Sequence, residues 1–142
     1  MKIFLLFLVL TNVLDFEKFI NEFSENDYTF VNKFHKIPNN LKSHLKEFRK
    51  IKFVKNSNYN LSDFNNKIHQ RGYLYFYYSS TIAILHYSHG GKGSHYHTYI
   101  IKSDGKSEEW YKNLITPKHK NLKELIEILR NKNFSEQVYD EL

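Results

Sequence analysis

Hydrophobic positions between residues 15 and 132 alternate between helical and strand-like spacings. Phe16, Phe19, Ile20 and Phe23 recur at the intervals of one helix face, and Asp15 stands where an N-cap belongs, which predicts a helix over 15–24. The β-rich run 28–34 predicts a strand, and Pro38-Asn39-Asn40 breaks the chain. Leu41, Leu45 and Phe48 mark a second helix, and Ile51-Lys52-Phe53-Val54 a second strand. Asn60 or Ser62 caps a third helix carrying Leu61, Phe64 and Ile68, which stops before Gly72 with His69 near its end. Residues 73–78, 81–87 and 96–102 predict three strands, the last two joined at Gly90-Gly91-Lys92-Gly93. After the Asp104-Gly105 turn comes a short strand at 109–113, and Leu122, Leu125, Ile126 and Leu129 form the final helix.

Helix and strand alternate at the front of this order, which implies parallel strands with crossover helices. Strand follows strand at the back, which implies an antiparallel edge. The expected fold class is α/β, one mixed sheet with helices on both faces. No repeat and no long linker divides the chain, so a single domain is expected over 15–133.

The ends follow neither pattern. Met1-Lys2 precedes the apolar run 3–10, the build of a secretory signal peptide over 1–14 and too short for a spanning helix of about 20 residues. The chain closes as an acidic tail over 134–142 ending Tyr139-Asp140-Glu141-Leu142, three residues of which match the retrieval signal of the endoplasmic reticulum. An entry signal and a retrieval signal support each other. The expected location is the lumen of the endoplasmic reticulum, with periplasmic or secreted as the alternative.

Composition narrows the chemistry. The 142 residues contain no Cys, which removes disulfides, thiolate metal sites and thiol catalysis together. The net charge of +6 comes almost wholly from Lys in a chain also rich in Asn, Ile, Phe and Tyr. That bias follows AT-rich codons, so a nucleic-acid partner is not expected.

With these elements in order, the chain resembles a thioredoxin-fold protein of the protein-disulfide-isomerase family. Asp15-Phe16-Glu17-Lys18-Phe19-Ile20 resembles the family's first helix, and residues 28–34 the strand before its active site. Ile51-Lys52-Phe53-Val54-Lys55 resembles the next parallel strand. Arg71-Gly72-Tyr73 resembles the approach to the fourth strand, and Ser103-Asp104-Gly105-Lys106, Trp110-Tyr111 and 121–129 resemble the closing turn, strand and helix. The resemblance implies a thioredoxin-like sheet with an antiparallel hairpin insertion in its C-terminal half. The family's Cys-x-x-Cys position is taken by His35-Lys36-Ile37-Pro38-Asn39-Asn40, so the implied protein is redox-inactive. No proline precedes the fourth strand, where Tyr73 runs into Leu74. The binding residues implied are His35, Lys36, Ile37, Pro38, Asn39 and Asn40 of the degenerate loop, with Tyr73 and Leu74 at the fourth-strand edge.

Histidine is the remaining source of chemistry. His86, His89, His95 and His97 flank the glycine turn. If residues 90–93 form that turn, His86 lies opposite His97, and His86, His95 and His97 share a face. Three imidazoles so placed are candidates for a metal, or for an acid/base pair with Lys92 as anion stabiliser. A one-residue change of register moves His86 off that face. His44, His69 and His119 carry weaker signals, His119 lying in a Pro- and Lys-rich loop.

The function expected from the resemblance is a non-enzymatic folding escort or chaperone subunit without cofactor, binding client proteins and the retrieval receptor. The alternatives are an exported histidine-based nuclease or metal-binding protein, and an exported inhibitor or immunity-type protein that binds one partner.

Overall fold

The computed structural model describes residues 16–44, 51–55, 69–89, 95–103 and 109–136. The expected signal segment 1–14, most of the third predicted helix, the glycine turn and Tyr139 to Leu142 lie outside them.

Helix α1 occupies 16–25, as its 3–4 spacing predicts, and buries Phe19, Ile20 and Phe23. Its last carbonyls are satisfied by side chains: Ser24 Oγ donates to Ile20 O (2.6 Å), Asn26 Nδ2 to Glu22 O (2.7 Å) and Tyr28 Oη to Phe23 O (3.0 Å). Strand β1 (Thr29–Val31) is shorter than expected, because the chain turns into a 3₁₀ segment at Phe34–Lys36. Helix α2 (Asn39–His44) starts directly after Pro38, whose carbonyl accepts the amides of Leu41 and Lys42.

Strand β2 (Ile51–Lys55) is followed by β3 (His69–Tyr78), β4 (Ile82–His89), β5 (His95–Ser103) and β6 (Glu109–Thr116). Helix α3 (Leu122–Arg130) and the two-residue strand β7 (Ser135–Glu136) complete the order. His69 therefore opens β3 instead of closing a helix. The fold also runs past the expected boundary at 133, since β7 pairs with Leu114 and Ile115 of β6.

This architecture corrects the expected fold class. The seven-stranded sheet runs β1-β3-β4-β5-β6-β7, with β2 also on β3. Every pairing is antiparallel except β2–β3. The molecule is thus mainly an antiparallel meander with a few short helices, and it is not a thioredoxin-like sheet flanked by crossover helices. The difference arises at β3. β2 pairs with its first half in parallel and β1 with its last three residues antiparallel, so two short strands share one edge of β3 end to end. Tyr73 Oη donates to Val31 O (2.6 Å) where the one pairing gives way to the other. Alternation of helix and strand along the chain carries no record of which edge each strand takes.

Both faces of the sheet are apolar at the centre. One, the α1/α3 face, packs Ile82, Ile84, Ile100 and Leu114 against Phe19, Phe23, Leu125 and Leu129 of α1 and α3. The other packs Phe76, Leu85, Tyr99 and Ile101 with Val31 and Ile37. Helix α3 is closed at both ends. Asn121 accepts the Glu124 amide (3.0 Å) and Glu124 Oε2 the Lys120 amide (2.7 Å), while Lys132 (φ 53°) forms a Schellman turn with Lys132 N and Asn133 N on Leu129 O and Ile128 O.

Candidate functional site

Register decides which histidines meet. His89 pairs with His95, Tyr87 with His97 and His86 with Thr98. The pairing expected from a four-residue turn is displaced by one residue, and side chains alternate faces with period two. His86 therefore lies on the α1/α3 face, while His95 and His97 lie on the other. The expected three-imidazole cluster does not form, and among the described residues no three His, Asp or Glu side chains are grouped to hold a metal.

On the α1/α3 face the structure assembles a different set. β3 carries a bulge: Tyr73 pairs with Tyr87 but Tyr75 with His86, so Leu74 is the extra residue. The bulge reverses the alternation, leaving Tyr73 on one face and bringing Tyr75 onto the other beside His86. Thr98 and Thr116 reach the same place from β5 and β6, and His119 folds over them from the loop entering α3.

Hydrogen bonding orders these groups. His86 Nδ1 faces the carbonyl of His97 (2.9 Å) and Thr98 Oγ1 (3.1 Å). A carbonyl only accepts, so Nδ1 carries the proton and the neutral ring leaves Nε2 as a bare lone pair. That nitrogen is buried with no hydrogen-bond partner among the described residues. Thr98 Oγ1 also contacts Thr116 Oγ1 and His119 Nε2, both at 3.0 Å, and Tyr75 Oη bonds His119 Nδ1. With Tyr75 donating to His119, His119 to Thr98 and Thr98 to Thr116, Thr98 uses both lone pairs and its proton. The His86 and His119 rings stack at 3.7 Å between centroids, with Tyr75 5.0 Å and Tyr96 6.0 Å from His86.

Tyr75, His86, Thr98, Thr116 and His119 are each 5% exposed or less, so the cluster is sealed from solvent. Burial is the main reason that the His86 pKa is pushed down to about 3, helped by the neighbouring His119 ring. Burial likewise holds His119 at about 4, against a smaller opposing pull from Glu124. The Tyr75 hydroxyl is pushed upward by burial and stays protonated.

Across the sheet, the His97 ring lies parallel to Tyr87 (5.1 Å, 8°), and His97 Nδ1–H donates to Asn113 Oδ1 (3.2 Å). Burial pushes its pKa down to about 4, with His95 and Arg71 acting in the same direction. His95 is half-buried, 4.8 Å from His97.

The other expected site residues fall elsewhere. His35, Lys36, Asn39 and Asn40 are exposed, Pro38 is half-buried, and Ile37 is a core residue. They form a 3₁₀ turn and a helix start beside a meander, with no thioredoxin-like strand to make them an active-site loop. Tyr73 and Leu74 do not sit at an edge, because β3 has neighbours on both sides; Tyr73 is buried and Leu74 is the bulge.

Tyr75, Thr98, Thr116 and His119 escape a sequence reading because they lie 18 to 44 residues apart in their bonded pairs. One local signal exists. The alternate positions Ile82, Ile84, His86 and Ser88 turn from apolar to polar along one buried face. Comparison with known proteins finds no matching family model, no similar curated protein and no similar solved structure. Among the described residues no helix is long and apolar enough to cross a membrane.

Proposed function

We propose that the chain is an exported protein of the inhibitor or immunity type, acting by stoichiometric binding of one protein partner at the β1 edge of its sheet. The observation that carries this reading is Phe30, 53% exposed and the one exposed large hydrophobic residue among those described. It stands on an edge strand whose outer side no other described strand pairs. Its ring rests on Tyr77 at 5.1 Å, and Tyr77 in turn meets Tyr28 edge-on at 6.5 Å. A half-exposed aromatic held in place by other rings loses little entropy when a partner covers it, and such anchors dominate protein interfaces. An open strand edge adds main-chain donors and acceptors to the same surface.

Among the described residues no carboxylate joins the hydrogen-bond chain of the buried histidines, and its hydroxyls, on Tyr75, Thr98 and Thr116, are closed to solvent, so this cluster is read as structural and the β1 edge as the binding surface. The escort role came with the thioredoxin-like fold, and the meander supplies no support for it.

A photo-crosslinking phenylalanine analogue at position 30, in the full chain expressed in its own cell, tests the proposal. Exposed Glu127 on α3 serves as the control position. One discrete adduct at 30 and none at 127 is expected. A ladder of many adducts would favour an escort, and no difference between the positions would remove the β1 edge from consideration.

A further inference from the structure

We propose that His86, His119 and His97 form an acid-operated latch, whose protonation opens one end of the β4–β5 ladder while the other end stays closed. The rung Tyr87–His97 adjoins the rung His86–Thr98, so two consecutive rungs carry buried imidazoles on both faces of the sheet. The next rungs, Leu85–Tyr99, Ile84–Ile100 and Ala83–Ile101, are buried and hold no side chain that titrates between pH 5 and 8. Acid therefore acts on one end alone.

The geometry explains why a proton is not accommodated in the closed state. His86 already gives its Nδ1–H to the His97 carbonyl, and a second N–H at Nε2 would have no acceptor among the described residues. A charge on that ring would sit against the His119 ring, stacked 3.7 Å away between centroids, so the pair takes up at most one proton beyond its two neutral N–H groups. Both nitrogens of His119 are engaged, with Tyr75 and Thr98.

The charged surroundings add to this. Lys118 acts on His86, and Arg71 and His95 act on His97, all against protonation. Glu124 at the start of α3 favours a charge on His119, but less strongly than burial opposes it. The remaining groups beside these rings are Tyr75, whose hydroxyl burial pushes upward, the rings of Tyr87 and Tyr96, and the uncharged Thr98, Thr116 and Asn113.

Histidines held below their unfolded value of about 6.5 leave stability flat above pH 7. As pH falls from 6.5 toward 4, the opened state takes up protons that the closed state refuses, and the closed state is lost. At pH 5 each freed histidine shifts the balance roughly thirty-fold toward the open form. The latch does not depend on the partner proposed above.

The test is hydrogen exchange on the full chain from pH 7.5 to 5.0, corrected for intrinsic rates. Protection of amides 86–88 and 96–98 should fall at least thirty-fold, while that of 83–85 and 99–101 holds. Imidazole proton NMR on the same sample should show His86, His97 and His119 not titrating in the closed form above pH 5. H86Q/H119Q keeps neutral donors toward His97 O and Thr98 and should move the opening to lower pH. Should that variant fail to fold, the imidazole titration of the unaltered chain decides alone. Uniform loss of protection along both strands, or native titration of these rings near 6.5, would overturn the latch.

Discussion

Replacing Tyr75 by Phe removes one oxygen and leaves the ring in place. Apolar burial is unchanged, so the effect isolates the hydrogen bond to His119 Nδ1. Tyr75 is 3% and His119 2% exposed, so water does not replace the lost partner. A buried polar atom left unsatisfied costs about 1–3 kcal/mol, so Tyr75→Phe should destabilise the fold by about 2 kcal/mol. With an unfolding entropy of roughly 2.1 cal/mol/K per residue, this corresponds to a fall in Tm of roughly 7 °C. Urea unfolding at pH 7.5, followed by far-UV circular dichroism, gives the free energy, and an unchanged slope shows that the native state stays compact. His119→Leu in the Tyr75→Phe background supplies the control. Once the hydroxyl is gone, His119 Nδ1 is already unpartnered, and deleting the imidazole should do less harm than in the parent. The expected coupling is about 1–2 kcal/mol. A loss for Tyr75→Phe below about 0.5 kcal/mol, or no coupling in the cycle, would refute the network that joins these rings.

Two further outcomes follow from the packing and one from the proposed function. Leu125→Ala opens a cavity under α3 at a fully buried position and should lower the unfolding free energy by about 2–5 kcal/mol, read from the urea midpoint. Asn121→Ala removes the side chain that accepts the Glu124 amide and should cost about 1 kcal/mol in the same assay, with helix content otherwise kept. Deleting Tyr139 to Leu142 from an internally tagged chain should alter neither its location nor the adduct formed at position 30; conversion from retention to secretion would instead establish a retrieval signal and revive the escort role.

How far local pattern reaches is clear from particular elements. The 3–4 spacing of Phe16, Phe19, Ile20 and Phe23 and of Leu122, Leu125, Ile126 and Leu129 predicts α1 and α3 to within a residue or two, because each helix buries one stripe. Strands β4, β5 and β6 are legible as β-branched and aromatic runs. Among the described residues, the segments at 16–20, 29–31, 51–55 and 122–129 that carried the thioredoxin resemblance are helices and strands, yet they assemble with a meander, since pairing partners are chosen between segments far apart in the chain.

The candidate site shows the division most sharply. That histidines gather around residues 86–97 is plain from the chain, and the absence of Cys excludes thiol chemistry on composition alone. Which of them meet was decided by two single-residue events in the tertiary structure. The connection from β4 to β5 is one residue longer than four, which sends His86 to one face and His97 to the other. The bulge at Leu74 then turns Tyr75 toward His86, where His119 closes over both. With a side-chain period of two, one residue more or less moves every later side chain through the sheet, and only the assembled ladder records that count.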